Sequence, residues 1–371
     1  MKKVSKIKIL TITPGLNICG GIESYAMNYY TNIKDEVKMD FITHEINDNY
    51  YKKIIEENGD KVFLFPKIGL FNIKQVSDKI DNFFKQNHDY DIVHCHMANA
   101  AFLYLKAAKK YGIKIRILHS HQNKAADTLS HAVRNFFLIK LGKKYSNVNF
   151  ACSELAGDYL FKNKKYYVIK NAINSKRFKY NDTMRRKIRK ELNLNNFFVI
   201  GNVGRFCAQK NQLFLLDIFK YVRDKKKVKL LLIGSGVLQD DIENKIRELD
   251  LQDDVIILPP QSAIEDYYQA MDMFVLPSLY EGLGIVNVEA QGTGLKTIVS
   301  NKIPKEAKIC DLIEFVDLKA NVSVWGETII NNMEYKRQNH AGDLKEKGYD
   351  IENESKKIVR LYRKIINKGC W

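Results

Sequence analysis

The chain has 371 residues, 45% hydrophobic and 28% charged, the balance of a globular protein with a full core. No apolar run approaches the roughly 20 residues that a membrane-spanning helix requires, which excludes a helical membrane protein. The formal net charge is +17, and residues 1–175 hold 27 Lys+Arg against 16 Asp+Glu while the remainder holds 33 against 27. This excess suits an anionic membrane surface, a phosphorylated lipid or nucleic acid; a lysine-rich, well-solvated composition accounts for it equally.

The N-terminus, MKKVSKIKILTITPG, sets lysines ahead of an apolar stretch as a signal peptide does. Ile7–Thr13 is short for that purpose and Lys8 interrupts it, so it reads as a first β-strand and the protein as cytoplasmic. Further strands are predicted at Met39–Thr43, Lys61–Phe65, Asp91–Cys95, Lys114–His119, Val148–Cys152 and Tyr167–Ile169, several of them continuously apolar. Amphipathic segments at Glu23–Thr31, Asn72–Lys85 and Ala100–Lys110 lie between them. A second series runs Phe198–Val203, Val228–Ile233, Val255–Leu258, Met273–Leu276, Thr297–Val299 and Ile313–Val316. Its helical stretches are Asn211–Val222, Gln239–Leu249, Ala263–Ala270 and Val286–Gly292.

This alternation implies an α/β protein of two Rossmann-like domains, each a parallel sheet covered by helices. The charged, poorly periodic stretch Asn174–Asn193 is the natural boundary, giving domains 1–175 and 176–350 and a C-terminal amphipathic helix in 351–371. Cys19, Cys95, Cys152, Cys207, Cys310 and Cys370 are scattered without a CxxC pair, so neither a zinc site nor a disulfide framework is expected.

Ligands of open α/β sheets bind outside the carboxyl ends of the strands. After the first strand, Gly20 and Gly21 precede a helix; this is a plain turn, or a place where backbone N–H groups meet a phosphate. Two strands end in HxH, His94 with His96 and His119 with His121, which puts each pair on one side of an extended chain. Such rings suit a polar wall that binds hydroxyls or phosphate, a metal, or, for His94, a satisfied place in the core. Asp89–Asp91 forms a DxD string, but it precedes a strand and reads as a loop. Gly204, Arg205 and Lys210 follow the first strand of the second series, where two cations beside a helix N-terminus suit a diphosphate or stand as solvated loop charges. Gly234, in LIGSG, ends the next strand, where a base or sugar could lie against the backbone. YEGLGIVNVEAQGTG follows the strand FVLPS: Glu281 in the loop, Gly282 and Gly284 opening a helix, and Glu289 in its early turns. One carboxylate can take sugar hydroxyls and the other the nucleoside end, with the helix turn spanning the phosphates.

Together GGIESYAMNYY, ILHSHQN, VIKNAIN, VGRFCAQKNQLFLLDIF, LLLIGSG and FVLPSLYEGLGIVNVEAQGTGLKTIVS resemble the retaining GT-B glycosyltransferases of family 4 (glycosyltransferase group 1), in particular those that build bacterial capsular polysaccharides and exopolysaccharides. The resemblance implies two Rossmann-like domains with parallel sheets facing across a cleft, the first binding acceptor and the second the nucleotide sugar, and a C-terminal helix packed back on the first. It implies that Glu289 binds the ribose, that Glu281 contacts the donor sugar, and that Arg205 and Lys210 neutralise the diphosphate. The backbone at Leu283, Gly284 and Ile285 holds phosphate and sugar, with Gly204 and Gly234 in the same donor site, and Gly20 and Gly21 face the diphosphate from the other domain. One of His119 and His121 lies on the acceptor side; His119, at the strand's end, is preferred. The family often has Phe at the place of Leu283 and a glycine-containing turn at Pro259–Ser262, which bears on the base-binding loop.

The implied reaction is metal-independent, cofactor-free hexosyl or N-acetylhexosaminyl transfer from a nucleotide sugar, with a uridine diphosphate donor. The acceptor is a saccharide or a polyisoprenyl-diphosphate-linked saccharide, in cell-surface polysaccharide synthesis. His131–Asn147 mixes aromatics with lysines, as an interfacial helix at the inner membrane face does, or as an ordinary helix packed on its sheet does. A 2-epimerase on the same fold, a nucleic-acid-binding protein and an inactive partner subunit are the rivals. No helix-turn-helix, zinc finger or aromatic-basic platform supports nucleic acid, and intact Glu281, Glu289, Arg205 and Lys210 oppose an inactive subunit.

Overall fold

The computed structural model describes residues 5–18, 20–69, 71–121 and 129–368, with 129–134 as backbone alone. It divides into two compact units: residues 1–171 together with 351–371, and residues 172–350. The break falls just ahead of the charged stretch, and the C-terminal helix belongs to the first unit.

In the first unit seven strands form one parallel sheet: β1 (Ile7–Ile12), β2 (Val37–Thr43), β3 (Val62–Leu64), β4 (Ile92–Cys95), β5 (Ile115–Ser120), β6 (Val148–Ala151) and β7 (Tyr167–Val168), in the order β3-β2-β1-β4-β5-β6-β7. Strand order reverses at β1, beside β4, the switch point at which such sheets leave room for ligands. Leu10, Ile12, Val93, Cys95 and Leu118 are fully buried in one face of the sheet, against Phe84, Tyr104 and Leu105. The C-terminal helix, Ile351–Lys368, repeats its apolar stripe as Ile358, Val359, Tyr362 and Ile365, all buried, and packs against the helix Gly21–Ile33.

In the second unit six parallel strands follow: β8 (Phe198–Val203), β9 (Val228–Ile233), β10 (Val255–Leu258), β11 (Met273–Leu276), β12 (Lys296–Ser300) and β13 (Ile313–Val316), in the order β10-β9-β8-β11-β12-β13. Two apolar layers enclose this sheet. One holds Phe219, Leu230 and Trp325; the other holds Phe274, Leu283, Val288 and Tyr268.

Among the helices that the sequence reading did not place are Tyr50–Glu57 and Asp182–Glu191. Tyr50–Glu57 has one buried residue, Ile55, which is too little periodicity to read. Asp182–Glu191 lies inside the stretch taken as a boundary, and two of its charges, Arg185 and Arg189, are spent within its own unit rather than in water. Arg185 and Arg189 both reach the Asp272 carboxylate, and Arg189 also donates to the carbonyls of Ala270, Leu194 and Phe197. In the DxD string, Asp89 pairs with the Lys8 side chain at 2.6 Å and Asp91 accepts from the Lys8 backbone N–H at 2.8 Å.

Candidate functional site

In the second unit the predicted donor residues collect at the carboxyl ends of β8, β9 and β11. Strand β11 ends at Leu276, and the chain turns through Ser278 to Glu281 before the helix Ile285–Gly292 begins. Gly284 makes that entry with φ +74, and a Cβ there would fall 2.7 Å from Asn287 Nδ2, so only glycine fits. Leu283 and Ile285 turn their side chains into the core. As first residues of the helix, Ile285 and Val286 have backbone N–H groups with no intrahelical acceptor.

Glu281 is buried and heavily bonded. Lys210 Nζ donates to its Oε1 at 2.6 Å, Ser278 Oγ to the same oxygen at 3.0 Å, and Gln209 Nε2 to Oε2 at 3.4 Å. Lys210 sits in the short 3-10 turn Ala208–Lys210 that follows β8, so the loop after one strand clamps the loop after another. Arg205, in the same loop, is exposed, and its guanidinium has no partner among the described residues. Gly234, just after β9, lets a third loop approach the one after β8: a Cβ there would lie 2.0 Å from the carbonyl oxygen of Gly204.

Glu289 is also buried, but with a single hydrogen bond to its carboxylate: Tyr268 Oη donates to Oε2 at 2.9 Å. Burial raises its pKa to about 7, against the Tyr268 hydrogen bond and the charges of Arg177 and Lys210, which favour ionisation; the charge of Glu265 adds to the rise. Tyr268, Ser278, Gln209 and Asn287 are site residues that sequence reading missed. Asn287 is fully buried and neither atom of its amide has a partner, an arrangement that costs free energy unless a ligand or water completes it. The signal for it was present: an amide inside an otherwise apolar helix turn, IVNVEA.

In the first unit Gly20 precedes the helix Gly21–Ile33; a Cβ on it would meet the Glu23 carboxylate at 1.9 Å, while Gly21 opens on space. The four histidines form one array at the ends of β4 and β5. His94 stacks on His96 and His119 on His121, with centroids 4.2 and 4.1 Å apart. His94 Nε2 is 3.0 Å from His119 Nδ1, and His96 Nδ1 is 2.8 Å from His121 Nε2. Tyr25 packs edge-on against His119 and His121. Burial holds the array neutral: His94 and His121 fall to about 3, and His96 and His119 lie well below the ordinary value.

His94, His96 and His119 offer nitrogens within 4.8 Å of one another, the one such metal-competent group among the described residues. His94 and His119 already bond one another and His96 bonds His121, and the group includes no carboxylate. Along the helix Leu129–Tyr145, Ile139 and Tyr145 pack on the core while Phe136, Phe137 and Leu141 stand exposed. His131 to Arg134 of the aromatic-basic stretch have no described side chains. Among the described residues no helix is long and apolar enough to cross a membrane, and Cys95, Cys152, Cys207 and Cys310 are free.

Two family models match: Glycosyltransferase Family 4 over residues 19–177 and Glycosyl transferases group 1 over residues 184–329. The chain belongs to the group 1 glycosyltransferases of family 4. This glycosyltransferase is 29% identical to EpsF of Bacillus subtilis, named as a glycosyltransferase, over 96% of this chain and 97% of that one. It is 28% identical to an Escherichia coli UDP-Gal:alpha-D-GlcNAc-diphosphoundecaprenol alpha-1,3-galactosyltransferase, over 75% and 77% of the two chains. Among solved structures, HepE of Anabaena in complex with UDP and glucose matches with a TM-score of 0.79 at 18% identity, over 96% of this chain and 99% of that one. The fold is GT-B, each unit a Rossmann-like parallel sheet.

Proposed function

We propose that this glycosyltransferase moves a hexose or N-acetylhexosamine from a uridine diphosphate sugar to a saccharide, free or linked to a polyisoprenyl diphosphate, in cell-surface polysaccharide synthesis. The anomeric configuration is retained and no metal takes part. The observation that carries this reading is the pair of buried carboxylates, Glu281 and Glu289, at the two ends of one glycine-opened helix entry, with Lys210 on Glu281 and an unpartnered Arg205 in the adjacent loop. Glu289 accepts from the ribose hydroxyls and Glu281 from the sugar, while Arg205 and Lys210 meet the charge that develops on the departing diphosphate. The bond from C1 to the phosphate oxygen breaks, the bond from C1 to the acceptor oxygen forms on the same face, and the acceptor proton leaves with the diphosphate. His119 stands on the acceptor side. A uridine donor is supported by the name of the E. coli relative and by the UDP in the HepE structure.

The test is a panel of nucleotide sugars scored by thermal shift and by slow donor hydrolysis. A shift with one uridine diphosphate sugar, abolished in Glu289→Ala, is expected; no shift with any nucleotide sugar by a folded protein overturns the donor site. A lipid-linked acceptor would put the enzyme at the inner face of the membrane, where Phe136, Phe137 and Leu141, beside Lys140 and Lys144, meet an anionic surface. Flotation with anionic vesicles at physiological salt tests this, and absence of binding overturns it.

A further inference from the structure

The histidine array contains a chain of hydrogen bonds with one open end. Tyr362, on the C-terminal helix, sets its hydroxyl 3.0 Å from His94 Nδ1, and His94 Nε2 lies 3.0 Å from His119 Nδ1. The next nitrogen, His119 Nε2, is fully buried with no hydrogen-bond partner. Tyr362 is itself buried, and among the described residues its hydroxyl bonds to His94 alone.

Both rings are neutral, so each carries one N–H and one lone pair, and the chain must run in a single direction. In one direction Tyr362 donates to His94 Nδ1, His94 Nε2–H donates to His119 Nδ1, and the buried His119 Nε2–H is left without an acceptor among the described residues. In the other, His119 Nδ1–H donates to His94, His94 donates to the phenol oxygen, and the Tyr362 proton is buried without an acceptor. Each direction leaves one donor unmet, so donor strength decides. A phenol is a stronger donor than a neutral imidazole and a weaker acceptor than its lone-pair nitrogen. The first direction therefore uses the better donor and the better acceptor at the Tyr362 end. It also places both rings in the Nε2–H form, which free histidine favours.

We propose that Tyr362 is a positioning residue that, through His94, locks His119 as the Nε2–H tautomer, so that His119 offers an N–H to an oxygen of the bound saccharide. His119 then acts as a hydrogen-bond donor toward its ligand, and the lone pair a base would need is spent on His94. The chain of tautomers stands on the hydrogen-bond geometry, the neutrality of the rings and donor strength; the saccharide as ligand rests on the transfer reading above. A tautomer measured without substrate separates the two, since it survives if the transfer reading fails.

The experiment uses the full chain labelled with 15N-histidine, at pH 7.5 and without substrate, in long-range nitrogen–proton correlation spectra assigned with His119→Asn. The expected wild-type pattern is a pyrrole-type Nε2 and a pyridine-type Nδ1 on His119. In Tyr362→Phe the His94 and His119 shifts move toward the average of the two tautomers. In His94→Gln, whose amide N–H can still donate to Nδ1, the His119 pattern stays; in His94→Leu it is released. A pyrrole-type Nδ1 on His119 in the wild type overturns the proposal. So does a Tyr362→Phe spectrum unchanged from wild type. If Tyr362→Phe does not fold, identical His119 patterns in His94→Gln and His94→Leu overturn it instead.

Discussion

The two polar clusters of this glycosyltransferase solve burial in different ways. In the first unit four neutral histidines bond one another, and no formal charge is present to be compensated. In the second, Glu281 has its charge matched by Lys210, while Glu289 has a phenol for partner and a pKa near 7, and the Asn287 side-chain amide has no partner among the described residues. A site left under-bonded in this way is costly on its own and gains most when a ligand supplies the missing partners. The histidine array bonds within itself and to Tyr362, except at His119 Nε2, and it holds no charge; the glutamate cluster holds buried carboxylates that differ in how far they are compensated.

The comparison breaks most visibly with pH. The native pKa of His94 lies below its unfolded value, so unfolding takes up a proton and stability falls as pH drops from about 6.5 toward 3, on the order of 5 kcal/mol for that ring. The native pKa of Glu289 is raised, so its ionisation works against the native state: stability falls as pH rises from the ordinary carboxylate range through about 7, on the order of 3 kcal/mol. Urea midpoints between pH 4 and 8 should therefore fall on the acid side for the histidines. On the alkaline side the slope should vanish in Glu289→Gln. Nucleotide affinity should run the other way, rising through pH 7 in the wild type and flat in Glu289→Gln, because the ionised carboxylate is the better acceptor for ribose hydroxyls.

Lys210 and Arg205 sharpen the contrast within the proposed donor site. Each alanine variant should lose about 10²–10³ in turnover. Only Lys210→Ala should also lose stability, about 3–5 kcal/mol, because it strands the buried Glu281, whereas Arg205 is exposed and its guanidinium unpaired among the described residues. Equal melting temperatures for the two variants would mean that the Lys210–Glu281 pair is not formed. Tyr268→Phe should cost about 1.5–3 kcal/mol and push the Glu289 titration higher, read from the pH dependence of nucleotide binding. The smallest effect is expected at Asn287→Leu. It removes two unpartnered amide atoms and should raise stability by about 1–3 kcal/mol. A simultaneous loss of nucleotide affinity would show that the amide faces the ligand.

Much of this molecule is written locally. Among the described residues the strands lie where apolar runs and their flanking turns put them, since a strand covered by helices needs a largely apolar run whatever its neighbours. The glycines around Glu281 and the cations after β8 were legible for the same reason: a turn into a helix restricts its residues within a few positions. Partnerships were not. Lys210 with Glu281, Tyr268 with Glu289, and Tyr362 with His94 join residues 71, 21 and 268 positions apart, and strand order alone brings them together. Arg185 and Arg189 look like solvated charge until Asp272 is placed beside them. The sequence by itself determined which residue types sit at which strand ends, and through them the family. Only the tertiary structure decided which polar groups are satisfied, because hydrogen bonding and desolvation depend on what the fold places within about 3 Å.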